Sequence, residues 1–187
     1  MIVVNVTPIK AKQRNKQGLY MPADIKKAVE IARELKKRER FNKIEFYDPY
    51  PYQQEFHSTG TSANQRLLMA ANRIGKSYSG AAEMAYHLTG LYPKWWKGRR
   101  FSGPITAWCG GVSNETTRDI VQAELLGSPD DPEAFGSGAV PKQSIVKTER
   151  KPGVPNAKAV ALVRHITGGN SSLFFKAYEM GVEKWQG

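Results

Sequence analysis

Apolar positions recur along the chain with two different periods. In "MPADIKKAVEIARELKKRERF", Ile25, Ala28, Val29, Ala32 and Leu35 fall at i, i+3, i+4, i+7 and i+10, which predicts an amphipathic helix. Glu34 and Arg38 stand four apart on its polar side, a favourable helical ion-pair spacing. The next stretch, "YDPYPYQQEFHSTGTSANQ", is rich in Pro, Tyr and small polar residues, and predicts a loop with a short helical turn from Tyr52 to Phe56. An apolar run then predicts a strand at Arg66 to Ala71, a helix from about Lys76 to Thr89 stopped by Gly90, and a strand at Ile105 to Cys109. "NETTRDIVQAELLG" predicts a helix capped by Asn114, with Ile120, Ala123, Glu124 and Leu125 leading to Gly127. "SPDDPEAFGSGAVPK" predicts a long loop, and "AVALVRHI" and "SSLFFKAY" predict two strands joined by the turn "TGGN". Strand, helix, strand, helix and hairpin together predict an α/β sheet of the type that carries a nucleotide at its strand ends.

Composition narrows this picture. A chain of 187 residues suffices for one main domain with an appendage. With 40% hydrophobic and 24% charged residues it has globular proportions, and no apolar run approaches the roughly 18 residues of a membrane span. The apolar start "MIVVNV" precedes its basic residues, the reverse of a secretory leader. The single cysteine, Cys109, has no partner for an internal disulfide, and His57, His87 and His165 are dispersed without metal-ligand spacing. We therefore expect an intracellular protein whose only metal is Mg²⁺ carried by a nucleotide. The net charge of +11 favours a polyanionic partner. Over half of it sits in residues 1–50, which hold 12 Lys/Arg against 6 Asp/Glu. Lys36 to Arg40 read either as a solvated helix end whose cations suit the C-terminal dipole or as a nucleic-acid contact.

The chemistry-bearing motif is "AANRIGKS", Ala70 to Ser77. It matches G-x-x-x-x-G-K-[ST] except at its first position, where Ala70 replaces glycine. The tripeptide Gly75-Lys76-Ser77 is weak by itself, but it lies between an apolar run and a helix that opens with Ser79, Gly80, Ala81 and Ala82, small enough to pack closely on a sheet. In such a loop the backbone of Ala71, Asn72, Arg73, Ile74, Gly75, Lys76, Ser77 and Tyr78 wraps phosphates. Lys76 adds a mobile charge and Ser77 a Mg²⁺ ligand. Arg73 either neutralises phosphate charge or points to solvent.

These residues, with "YPYQQEFH", "YPKWWKGRRFSGPITAWCGGVSNETTRDIVQAELLG", "GSGAVPKQSI" and "SSLFFKAYEMGVEKWQG" in that order, give a chain that resembles the large subunit of tailed-bacteriophage DNA-packaging terminases from about Asp48 onward. The resemblance implies a three-layer P-loop NTPase of the additional-strand, RecA/helicase-like type, with residues 1–47 as a basic helical extension and 48–187 as the N-terminal portion of the ATPase domain. It implies ATP and Mg²⁺ as cofactors, and double-stranded DNA, a small terminase subunit and the capsid portal as partners. A homo-oligomeric ring acting in the host cytoplasm at the procapsid portal follows from the same likeness. Gln53 then stands where these motors place an adenine-reading glutamine, with Gln54 as a competitor, and Tyr52 or Phe56 either supports the base or anchors the core. Lys76 and Arg73 carry the catalytic assignments, Arg73 as a γ-phosphate sensor. In "KWWKGRR", Trp95 and Trp96 are expected as packing anchors, and Lys94, Lys97, Arg99 and Arg100 as contacts to DNA or a neighbouring subunit.

ATP hydrolysis in this class also needs an acidic pair after an apolar strand, one member organising Mg²⁺ and the other activating water. No four-residue apolar run followed by Asp-Glu or Glu-Glu occurs in the 187 residues. We therefore expect a truncated reading of a longer protein, or one completed by a partner, with hydrolysis by this chain alone slow or nil. The alternative is a hydrolysis-incompetent module that binds DNA or another subunit through its basic N-terminal helix. A small-molecule kinase fits less well, since no acceptor site or lid arginines can be identified.

Overall fold

In the computed structural model, the described residues are 23–185. They fall into two compact units that divide between Lys37 and Arg38. The predicted amphipathic pattern forms helix α1, Ala23–Phe41. Two of its terminal cations have partners within the second unit. Arg38 pairs with Glu45, which also accepts from the Asn42 amide at 2.7 Å, and Arg40 donates to the Glu133 carbonyl at 3.2 Å. No described helix is long and apolar enough to cross a membrane.

In the second unit, the short turn expected near Tyr52 is a full helix, α2, Pro51–Ser58, opened by a proline in its first turn. Helix α3, Lys76–Thr89, begins after Gly75 and ends on Gly90, whose φ of 73° supplies the left-handed cap that a side chain would resist. Strand β1 is Thr106–Gly111. Residues 114–126 then form one helical run, made of α4 (Asn114–Thr116), a π-helical stretch (Thr117–Gln122) and α5 (Ala123–Leu126). Its cap is Ser113 rather than the expected Asn114: the Ser113 hydroxyl accepts from the Thr116 N–H at 3.1 Å. The remaining strands are β2 (Ile145–Arg150), β3 (Lys158–Arg164) and β4 (Asn170–Ala177).

The four strands make one mixed sheet in the order β1-β4-β3-β2. The β3–β4 hairpin is antiparallel, with Ala161 opposite Leu173, while β1 joins β4 in parallel, with Trp108 opposite Phe174. The alternation of β4 buries Ser171, Leu173, Phe175 and Ala177 on one face. There Leu173 and Phe175 meet Ala161 and Val163 of β3 and the small residues Ala81, Ala82 and Ala85 of α3 in a single core. On the opposite face Val160, Leu162 and Phe174 stay half-buried and Trp108 is exposed, so the third layer expected there is not formed by a continuous buried seam among the described residues.

Two strand expectations are corrected. Residues 66–71 form no strand: Leu67 and Met69 are 79% and 81% exposed. An apolar run becomes a strand only where a neighbour supplies hydrogen bonds and packing, and the segment has no ladder partner among the described residues. Conversely, β2 is a strand that its polar pattern "IVKTER" conceals, held through its pairing with β3. The loop after residue 127 is better ordered than its composition suggests, because Ala139 and Val140 are fully buried and their N–H groups donate to the Glu124 and Leu125 carbonyls.

Candidate nucleotide-binding site

The turn from residue 70 to 77 leads directly into α3. Arg73 has φ 63° and Gly75 φ 83°, two left-handed residues that fold the backbone back on itself before the helix starts. A Cβ at Gly75 would lie 3.0 Å from the Gln53 amide nitrogen. The Ser79 N–H bonds to the Gly75 carbonyl at 2.8 Å, which leaves the N–H groups of Lys76, Ser77 and Tyr78 without acceptors inside the helix. Lys76 Nζ donates to the Ala70 and Ala71 carbonyls at 2.6 and 2.5 Å, so its ammonium bridges the two ends of the turn. Asn72, Arg73 and Ser77 are exposed, and Ile74, Gly75, Lys76 and Tyr78 half-buried. Backbone donors, a helix N-terminus, an ammonium and a serine hydroxyl thus share one turn, a donor set that suits an anion of phosphate chemistry.

Helix α2 grips this turn from the side. The Tyr52 hydroxyl donates to the Ile74 carbonyl at 2.5 Å. Gln53 is buried, and its amide is fully engaged: Nε2 faces the Ile74 and Gly75 carbonyls, each at 3.4 Å, while Oε1 accepts from the Tyr50 N–H at 3.0 Å and the Tyr47 hydroxyl at 3.3 Å. Gln54 is exposed and donates to the Pro49 carbonyl at 3.2 Å. Phe56 lies under the Arg66 guanidinium, 4.7 Å from centroid to Cζ. Burial pushes the Tyr47 phenol up to about 12, so it remains a hydrogen-bond donor at any working pH.

A buried polar network behind the turn was not foreseen. Glu83, two turns into α3, is held by Arg66, by His57 Nδ1 at 2.7 Å and by His87 Nε2 at 3.3 Å. The far ring nitrogen of His57 meets the Ser79 and Tyr47 hydroxyls, each at 3.2 Å. Burial opposes the Glu83 charge, but the hydrogen bonds from His57, His87 and Arg66 outweigh it and hold the carboxyl well below the usual carboxylate range. The i,i+4 spacing of Glu83 and His87 was the one signal of this network in the sequence. Two of the three histidines that look dispersed along the chain, His57 on α2 and His87 on α3, meet here on one carboxylate.

The cavity beside Ser77 has a different character. It holds about 260 Å³ between α3, β1 and residues 114–126, and its walls include Met84, Cys109, Val121 and Leu125, with Glu124 as the one carboxylate. Burial pushes the Cys109 thiol up to about 12, far from a reactive thiolate. In "KWWKGRR", Trp96 is buried in the core, its Nε1 donating to the Arg99 carbonyl at 3.0 Å, and Trp95 packs edge-on to Tyr47 and Tyr86. Lys94, Lys97, Arg99 and Arg100 are exposed. Arg99 reaches Asn64 at 3.2 Å, and Arg100 lies 5.1 Å over the Tyr92 ring.

Comparison with known proteins gives the family. Residues 67–187 match the family described as "Terminase large subunit, T4likevirus-type, N-terminal". The large terminase subunit of Salmonella phage P22 is 39% identical over 158 aligned residues, covering 75% of this chain and 32% of that protein. The chain thus spans about a third of that relative's length. No solved structure matches it. With more than half of its residues inside the family's own N-terminal region, the chain belongs to the terminase large-subunit family.

Proposed function

We propose that this chain is the ATP-binding part of a viral DNA-packaging motor, in which ATP turnover drives double-stranded DNA into a capsid. The observation that carries the reading is the turn at the head of α3: a left-handed Gly75, three helix-start N–H groups and the Lys76 ammonium converge there. In this reading the backbone from Ala71 to Tyr78 receives the phosphates of ATP. Lys76 exchanges its carbonyl partners for phosphate oxygens, and the Ser77 hydroxyl stands ready for the Mg²⁺ that accompanies them. Arg73, exposed at the outer corner of the turn, is suited to approach the terminal phosphate. The fold is then a P-loop NTPase of the additional-strand type.

Turnover by this chain alone is slow or nil in this reading, because no Asp-Glu or Glu-Glu pair follows an apolar run to activate water. The basic N-terminal region and the exposed Lys94, Lys97, Arg99 and Arg100 supply charge for duplex DNA or a neighbouring subunit. A small terminase subunit, the portal and further copies of the large subunit in a ring are the partners we propose, in the host cytoplasm at the procapsid portal.

Equilibrium titration with Mg-ATP tests the site. Wild-type chain binds, and Lys76→Ala loses roughly 10- to 100-fold in affinity, the scale of charge-assisted hydrogen bonds of about 1.5–3 kcal/mol. Equal binding by both proteins contradicts the assignment.

A further inference from the structure

The resemblance expects Gln53 to read adenine, yet its amide is already spent. An amide group has two acceptor lone pairs and two N–H donors. In Gln53 all four are engaged within the protein: Tyr50 N–H and Tyr47 hydroxyl on Oε1, Ile74 and Gly75 carbonyls on Nε2. The side chain is 3% exposed. To present donor and acceptor to a nucleobase edge it would have to leave this buried position and give up the bonds that cap α2 and hold the turn.

What Nε2 faces instead is the exit of the phosphate turn. Ile74 and Gly75 are the last residues before α3, and Gly75 carries the left-handed φ of 83° on which the direction of the helix-start N–H groups depends. The Ile74 carbonyl also accepts from Tyr52. Two adjacent residues of α2 therefore fix two adjacent carbonyls of the turn. The brace continues on its other side: Tyr47 links Gln53 Oε1 to His57, and His57 bonds Glu83 and Ser79 on α3 itself. Turn, α2 and α3 are closed into one hydrogen-bonded circuit.

We propose that Gln53, assisted by Tyr52, is a positioning residue that sets the shape of the phosphate turn and takes no part in nucleobase recognition. The proposal rests on the phosphate-site reading above. Its consequence is a site that responds to Gln53 through the triphosphate alone, whatever base is attached.

The test is binding of Mg-ATP, Mg-GTP and Mg-tripolyphosphate to the full chain, wild type against Gln53→Ala, Tyr52→Phe and Lys76→Ala, with thermal unfolding as the folding control. Gln53→Ala is expected to weaken all three ligands by the same factor, about tenfold, the scale of one to two net hydrogen bonds. The ratio of ATP to GTP affinity stays at its wild-type value. Tyr52→Phe, which removes one hydroxyl from an exposed side chain and leaves the helix cap intact, is expected to cause a smaller loss, again equal for the three ligands. It keeps the test decisive if Gln53→Ala fails to fold. Amide exchange at Gly75 to Ser77 rises in both variants before any ligand is added. Loss of ATP binding with tripolyphosphate binding unchanged would overturn the proposal in favour of a base reader, and so would wild-type affinity of both variants for all three ligands. Wild-type chain that binds none of the three overturns the phosphate site itself. Loss confined to Lys76→Ala upholds that site and overturns only the role of Gln53.

Discussion

Glu83 on α3 is clamped by Arg66, a residue ten positions before the helix begins, so the segment leading into the Gly75 turn and the helix leaving it are tied by one ion pair. The Arg66 guanidinium also donates to the Phe56 carbonyl of α2 at 2.9 Å. The Gly75 turn is thus held from both sides by contacts that lie outside it, which is how a turn with left-handed residues is kept in place.

Removing this clamp exposes its worth. Glu83→Gln leaves Arg66, His57 and His87 facing an uncharged group in a buried setting, and should cost about 3 kcal/mol, the low end for breaking a buried pair because Arg66 reaches solvent. The pH dependence has a definite sign. The folded carboxyl titrates below its unfolded value, so the unfolded chain takes up the proton first as pH falls. The contribution is complete at neutral pH and fades progressively below about pH 4.3, the ordinary glutamate value. Denaturant titrations of wild type and Glu83→Gln at pH 7 and pH 3.5 should show the gap between them narrowing on acidification.

Gly75→Ala puts a side chain on a left-handed residue and its Cβ 3.0 Å from Gln53 Nε2. The backbone preference alone costs about 1–2 kcal/mol. Mg-ATP affinity should therefore fall while the fold persists, and Gly75→Asn, which visits the left-handed region more readily, should retain more of it. Calorimetric titration of the two variants checks the order.

How much of this was legible in the residues varies from element to element. Helix α3 announces itself, because its small opening residues, apolar spacing and terminal Gly90 are all local signals. The β3–β4 hairpin does so through two short strand-like runs flanking "TGGN". Leu67 and Met69 mislead, since apolar character cannot say whether a strand has a neighbour to pair with. Lys147, Glu149 and Arg150 hide β2 for the opposite reason, their pairing with β3 being non-local. Asn114 and Ser113 are both good caps, and only the geometry chooses Ser113. The glycine-turned entry to α3 was readable from Gly75-Lys76-Ser77, but the partners of Gln53 were not: they come from Tyr47, Ile74 and Gly75, which folding alone brings together.

Trp96 and its basic neighbours should separate cleanly by experiment. Trp96→Ala empties a buried core position and should cost about 3–5 kcal/mol of stability. Lys97→Ala and Arg99→Ala, at exposed positions, should leave thermal unfolding unchanged. If these side chains neutralise duplex phosphates, each substitution lowers the slope of log affinity against log salt by roughly one unit. Duplex-binding curves at several salt concentrations measure this directly.

The central claim is that the turn entering α3 receives the phosphates of ATP. Hydrogen exchange of the full chain with and without saturating Mg-ATP tests it at the level of single amides. The account predicts slowed exchange concentrated at Gly75, Lys76, Ser77 and Tyr78, absent in Lys76→Ala. Protection confined to other segments, or identical exchange with and without nucleotide, would contradict it.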